Sequence, residues 1–234
     1  MSVQNDASAD LVELAVFDFD GTCIDGQSGT LISTYLLKRG IVSLADAARL
    51  AWWGVRYKLH FPHRQQEPRE IILGALNRHH VSDIAPVMAE IHDAVLVSRY
   101  RSAAVEEVRR RHEEGMVTLI ASATFAEVAD RAAAYLGTDG YIATEMQRDA
   151  TGAYTDQVKG DVIEGKAKLE AVMRWADEHI GRGRWRIACA YGDHHSDADL
   201  LAAARQPFAV CPGKTLKSLA HRRGWTILDW SDVS

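Results

Sequence analysis

This 234-residue sequence predicts an α/β fold: a parallel sheet with helices on both faces, interrupted by an inserted block of helices. Three observations carry that reading. Apolar runs of strand length at residues 14–17, 117–121 and 187–191 stand apart in the chain, and from residue 103 onward strand patterns alternate with helical ones. Residues 28–100 show helical periodicity and no convincing strand. Each apolar run ends on polar residues (Asp18, Ser122, Gly192-Asp193), as strands do when they deliver side chains to the carboxyl edge of an open sheet.

The elements follow in order. A strand over residues 11–19 leads into four helices, at 29–38, 44–59, 67–78 and 84–99. Gly40, the Phe61-Pro62-His63 segment and residues 79–82 separate them, with Ser43 and Ser82 as N-caps. A helix over 105–114 stops at Gly115, before a strand at 116–121 and a helix at 126–136. A short strand at 141–144 precedes a hairpin turn at Thr151-Gly152. Then come a helix over 166–179, a strand over 185–191, helical residues 197–204, a strand at 208–210, a helix over 216–222 and a final strand at 225–228. Alternating strands and helices mean a parallel sheet covered on both sides. Residues 27–100 are expected to form a separate helical domain, and residues 1–26 with 101–234 the core.

Bulk composition narrows the function classes. The chain is 47% hydrophobic and 25% charged, which suits a globular protein with a sizeable core. A net charge of −5 offers no general attraction to nucleic acid. The basic triplet Arg109-Arg110-Arg111 lies between glutamates and reads as a solvated helix face. Cys23, Cys189 and Cys211 lack metal-finger spacing, and their odd number argues against a disulfide framework. Residues 1–10 are polar and acidic, unlike a signal peptide, and no uncharged stretch reaches membrane-spanning length. A cytoplasmic setting with no nucleic-acid or membrane partner is the expectation; oligomeric state is left open.

Asp18 and Asp20 are the first chemical signal. Side chains alternate across a strand, so both carboxylates share a face if extended backbone continues past Phe17. Two such carboxylates are tolerated only with a cation between them or a proton on one, and both arrangements serve catalysis. The string Asp-x-Asp-Gly-Thr is equally an ordinary solvated turn. Later segments tip the balance: the run ending at Ser122, the helix opened by Glu164-Gly165-Lys166, and Gly192-Asp193 with Asp197 four residues on.

In that order the segments resemble the four-motif signature of the haloacid dehalogenase superfamily of phosphotransferases. Within it they are similar to the phosphoserine-phosphatase-like branch, subfamily IB. The resemblance implies a Rossmann-like core with a type C1 helical cap inserted after the first motif. It implies a phosphatase acting on a small phosphorylated metabolite through an aspartyl-phosphate, or a phosphomutase on the same core. Asp18 matches the nucleophile, and Asp20 the group that protonates the leaving alkoxide and then activates water. Mg²⁺ would be held by Asp18, the backbone carbonyl of Asp20 and the side chain of Asp193, with Asp197 and Thr22 in support. Ser122 and the amide of Ala123 match the phosphate-binding loop. Lys166 matches the lysine that holds nucleophile and phosphate; Lys168 is its rival and Lys159 a weaker one.

Departures from the branch bear on substrate. Gly21 stands where phosphoserine phosphatases commonly have serine, and Gln27 where they carry the glutamate that meets the substrate amine. Asp25 is acidic but two residues early. Ser196 replaces a common asparagine, with His194 and His195 beside it. His60, His63, His79 and His80 read as surface of the inserted helices, and Trp52, Trp53 and Tyr57 as packing within them. Dehalogenation needs neither Asp20 nor Asp193, so their presence argues against it. A non-catalytic scaffold would not need the full residue set.

Overall fold

All four apolar residues at the end of β1 (Val12–Phe17) are buried, as a strand covered on both faces requires. A computed structural model describes residues 11–59, 61–79 and 84–231, and in it β1 is the middle strand of a seven-stranded sheet. The other strands are β2 (Val117–Phe125), β3 (Gly140–Arg148), β4 (Tyr154–Lys159), β5 (Trp185–Gly192), β6 (Gln206–Val210) and β7 (Thr226–Leu228). Their order is β4-β3-β2-β1-β5-β6-β7, parallel throughout except for the β3–β4 hairpin. Chain order runs outward from β1 in both directions. The carboxyl ends of β1, β2 and β5 therefore meet at the switch point where open α/β sheets bind ligands.

The helices of the insertion are α1 (Ser28–Lys38), α2 (Leu44–Lys58), α3 (Glu67–Arg78) and α4 (Ala85–Ile91). Ser43 caps α2 through a capping box with Asp46, whose carboxylate also accepts from Arg78 of α3. Ser82, His60, His80 and residues 1–10 lie outside the described residues. The single helix expected over 84–99 is shorter. α4 gives way to a π-helical turn over His92–Leu96 and a 3₁₀ turn over Val97–Arg99. The widening falls where His92 turns inward to meet the Tyr100 hydroxyl at 3.0 Å. Ile32, Leu36, Ile72 and Leu76 of the insertion share one buried cluster with Phe17 and Tyr191 of the sheet and Phe19 of the turn after β1.

The remaining helices are α5 (Ser102–Glu113), α6 (Ala126–Leu136), α7 (Lys166–His179), α8 (Ala198–Ala203) and α9 (Lys214–Arg223). The basic triplet on α5 is not wholly solvated. Arg111 is buried, with Glu107 and Glu114 as ion-pair partners and its Nε 2.8 Å from the Tyr191 hydroxyl. Burying a guanidinium is costly unless its charge is paired, and the two glutamates supply that pairing. No helix among the described residues is long and apolar enough to cross a membrane.

Candidate active site

Three strand ends build the floor of one cavity of about 710 Å³. Asp18 leaves β1, Ser122 lies on β2 and Asp193 follows β5. Asp20, Lys168 and Asp197 complete the floor. Lys168 is the centre of it. Its ammonium lies 2.6 Å from Asp18 Oδ1 and 2.5 Å from Asp197 Oδ1, and all three side chains are almost inaccessible to solvent.

This placement corrects the choice of Lys166. The Lys166 side chain is 81% exposed and pairs with Glu170 one turn on along α7. Successive helical residues are rotated by about 100°, so a two-residue step turns Lys168 onto the side facing the sheet edge. Lys159 is also remote, paired with Glu145 on the β3–β4 hairpin.

The Asp20 carboxylate sits at the N-terminus of α1. It accepts from the Ser28 amide at 2.6 Å and the Ser28 hydroxyl at 2.9 Å. Gln27, the N-cap residue, makes no side-chain cap, so Asp20 satisfies a helix N–H from outside. Burial raises the Asp20 pKa, with Ser28 and Arg69 opposing, and so favours a carboxyl that carries a proton. The Ser28 hydroxyl also lies 2.8 Å from that of Thr124.

Ser122 accepts from the Thr124 amide at 3.2 Å and does not cap α6, because β2 continues to Phe125. The next carbonyl, that of Ala123, accepts from Arg69 Nε at 2.8 Å and from Thr144 at 3.0 Å. Arg69 thus ties the inserted helices to the β2 backbone beside Ser122. Burial pushes its pKa down to about 10, against the pull of Glu164 and Asp20. Thr22 is buried beneath Asp18, its hydroxyl 3.5 Å from Oδ2.

Two glycines make the carboxylates fit. Gly21 has φ +77°, and a Cβ there would fall 2.1 Å from Asp193 Oδ2. A Cβ on Gly192 would fall 2.6 Å from that of Asp197. A serine at position 21 would collide with Asp193 as it stands.

Charge on the floor is unbalanced. Burial, with the neighbouring Asp197 and Asp193, drives the Asp18 pKa well above the carboxylate range although Lys168 opposes it. Burial and Asp197 push Asp193 up to about 7. Lys168 stays charged, since two carboxylates outweigh its own desolvation. Carboxylates this crowded call for another cation. Asp18, Asp193 and Asp197 offer oxygens within 4.8 Å of one another. Both Asp197 oxygens are engaged, by Lys168 at 2.5 Å and by the His194 amide at 3.2 Å, whereas among the described residues Asp18 Oδ2 has only the long 3.5 Å contact from Thr22, which leaves Asp18 and Asp193. Hard oxygen donors in so small a number fit Mg²⁺, which keeps most of its waters.

Above the floor, residues treated in the sequence as packing or surface face the cavity. Trp53 and Tyr57 line it, whereas Trp52 is 58% exposed. His63 packs edge-on against both lining rings. Glu164 accepts from the Tyr57 hydroxyl at 2.8 Å. His194 lines the wall, with Nδ1 3.0 Å from Ser196 Oγ, and burial lowers its pKa. Gln27 reaches the cavity, while Asp25 is paired with Arg101 away from it. Ser28, Arg69 and Thr124 belong to no motif, and Glu164, although it opens the Glu164-Gly165-Lys166 segment, carries no sequence signal of a wall residue; only the fold brings the four together. Cys23 is buried with its thiol pKa pushed up, which leaves it inert.

Residues 15–202 match the family model of haloacid dehalogenase-like hydrolases. Phosphoserine phosphatase SerB1 of Mycobacterium tuberculosis is 25% identical over 225 residues, covering 94% of this chain and 72% of its own length. Histidinol-phosphatase of Neisseria meningitidis serogroup C is 25% identical over 230 residues, covering 93% and 98%. A crystal structure of a protein of unknown function from Bordetella pertussis superposes with a TM-score of 0.83 at 27% identity, covering 94% of this chain and 99% of that one.

Proposed function

Because the chain belongs to the haloacid dehalogenase-like hydrolases, we propose that it is a Mg²⁺-dependent phosphatase of small phosphate monoesters, working through an aspartyl-phosphate on Asp18. The observation that carries this reading is the buried Asp18–Lys168–Asp197 chain beside a separately held Asp20. It gives one carboxylate a fixed cation and the other a protonatable position.

Asp18 attacks the phosphorus and forms a new O–P bond as the bond to the leaving oxygen breaks. Asp20, held by Ser28 and raised in pKa, gives that oxygen its proton. It then takes a proton from the water that attacks the aspartyl-phosphate, which releases phosphate and restores Asp18. Lys168 fixes Asp18 and faces the incoming phosphoryl charge; Asp197 fixes Lys168. Ser122 and the amides beside it meet the phosphoryl oxygens, while Arg69 holds the Ala123 carbonyl and so the end of β2 that presents them. Asp18, Asp193 and the backbone carbonyl of Asp20 would hold Mg²⁺, which would supply positive charge at the phosphoryl group. Residues 27–100 act as the cap that shields this chemistry from water.

The names of two relatives support the phosphatase class. Gln27 lacks the charge an ammonium group needs, which disfavours phosphoserine itself. Phosphate release from a panel of monoesters, with Mg²⁺ and after exhaustive EDTA treatment, tests the proposal. Metal-dependent turnover lost in Asp18→Asn is expected. Full activity in EDTA, or in the folded variant after allowing for deamidation, excludes the mechanism.

A further inference from the structure

α2 is amphipathic, yet of its residues only Asp46 is fully buried. Leu50, Trp53, Gly54 and Tyr57 fall at the spacing of one helix face, and all four line the cavity. This stripe forms a wall above the floor. Its polar tips are already engaged: Trp53 Nε1 donates to the Arg64 carbonyl at 2.7 Å, and the Tyr57 hydroxyl donates to Glu164. The two rings stack with centroids 5.2 Å apart. What the wall presents to a ligand is carbon and ring.

Gly54 stands in mid-helix, where glycine carries an entropic cost. Nothing about the helix demands it. Its φ lies outside the left-handed region, and a Cβ there would meet no atom within 4 Å. The residue keeps a piece of cavity wall open. Charge is scarce in this lobe: among the described lining residues above the floor, the charged groups are Arg69 and Glu164. Arg69 gives its donors to the carbonyls of Ala123 and Gln65, and Glu164 takes the Tyr57 hydroxyl and lies in the field of Arg69. Their opposite charges offset one another, so this lobe carries no net charge to favour a charged leaving group.

The geometry points to an uncharged, ring-bearing alcohol as the leaving group, its ring laid against the Gly54 wall beside Trp53 and Tyr57 while its phosphate meets Asp18. This inference rests on the phosphatase reading for its hydrolytic half. Size and shape of the apolar body, rather than charge, select the substrate.

The test compares 2-phenylethyl phosphate with ethyl phosphate, whose leaving alcohols are chemically alike, and adds phosphoserine. In the wild type, kcat/KM for the phenylethyl ester exceeds that for the ethyl ester by at least about thirtyfold, the scale set by burying a phenyl ring. Phosphoserine falls below it. Gly54→Leu brings the phenylethyl/ethyl ratio to within about threefold of one, and Gly54→Ala gives an intermediate ratio, as a graded loss of the same space predicts. A ratio is insensitive to the amount of folded enzyme, and thermal melts report folding directly. Binding of 2-phenylethylphosphonate against ethylphosphonate, by calorimetry, follows the same order. If no ester is hydrolysed but the phosphonates keep that order and Gly54→Leu abolishes it, the phosphatase reading fails and the ring-binding wall stands. Equal handling of the two sizes in both assays overturns the inference, as does a ratio unmoved by Gly54→Leu, or phosphoserine ranking first by tenfold.

Discussion

The floor and the wall of the cavity follow opposite designs. On the floor, Asp18, Asp20, Lys168 and Asp197 all have close hydrogen-bond partners, and the end of β1, the first turn of α7 and the turn after β5 fix their positions. On the wall, α2 sets an apolar stripe against open space, and its one fully buried residue is the capping Asp46. A buried charge tolerates one arrangement, because an unpaired neighbour is costly. An apolar surface facing a cavity tolerates many. On the phosphatase reading, chemistry is therefore held at the sheet edge, and selectivity is free to vary on the helix. Changes on the floor should act on turnover and pH-dependent stability, and changes on the wall on the ranking of substrates.

Asp18→Asn breaks the floor most completely. An amide of the same shape cannot form the acyl-phosphate, so turnover should fall by about 10⁴-fold or more. The variant should give an unchanged circular dichroism spectrum.

The two lysines of α7 separate the buried position from the exposed one. Lys168→Met should lower kcat by about a hundredfold or more and leave Asp18 facing Asp197 with no cation between them. In EDTA at pH 8 it should cost about 3–5 kcal/mol in urea unfolding. That cost should shrink toward pH 5, as the crowded carboxylates take up protons. Lys166→Met should change kcat by less than about twofold, since exposed ion pairs contribute little. The reverse ranking would refute the placement of Lys168.

Asp193→Asn tests the charge imbalance. The carboxyl holds its proton to about pH 7 in the folded protein and to about 3.8 when unfolded. The folded state thus binds the extra proton, and this group's contribution makes metal-free protein less stable as pH rises from 3.8 to about 7. In EDTA the variant should melt above the wild type at pH 8 and show a flatter pH dependence. Mg²⁺ should raise the melting temperature of the wild type and not of the variant. An equal Mg²⁺ response in both would remove Asp193 from the metal site.

Arg69 joins the two regions, with donors from α3 on the carbonyl that follows Ser122. Arg69→Met should reduce kcat/KM by about tenfold through misplacement of the phosphate loop. Lysine should restore little, because it lacks the forked donors that converge on one carbonyl. Full rescue by Arg69→Lys would mean that only charge matters there. The smallest expected effect lies on the wall: Gly54→Ala should stabilise α2 by about 0.5–1 kcal/mol, read as a rise in melting temperature of about 1–4 °C.

Much of this protein is legible in the chain. Apolar runs ending in Asp18, Ser122 and Asp193 announce buried strands, since a strand covered on both faces admits little else. Gly115 and Gly137 mark helix ends that fall within a residue of where periodicity puts them. Local pattern gave way at 92–99, where the burial of His92 replaces α-helix by wider and tighter turns. It also gave way at Arg111, whose partners on Glu107, Glu114 and Tyr191 make a core residue of what reads as surface.

Sequence by itself determined the sheet, the inserted helices, the carboxylates at the strand ends and a lysine early in α7, because each depends on periodicity or on neighbours a few residues away. Only tertiary structure decided which lysine reaches Asp18, since that depends on how α7 is rotated against the sheet. It also decided that Ser28 holds Asp20, that Arg69 holds the end of β2 after Ser122, and that Trp53 and Tyr57 face a cavity. Spacing puts residues on one face of a helix, but only the packing of the whole chain determines whether that face meets a core, water or an open space.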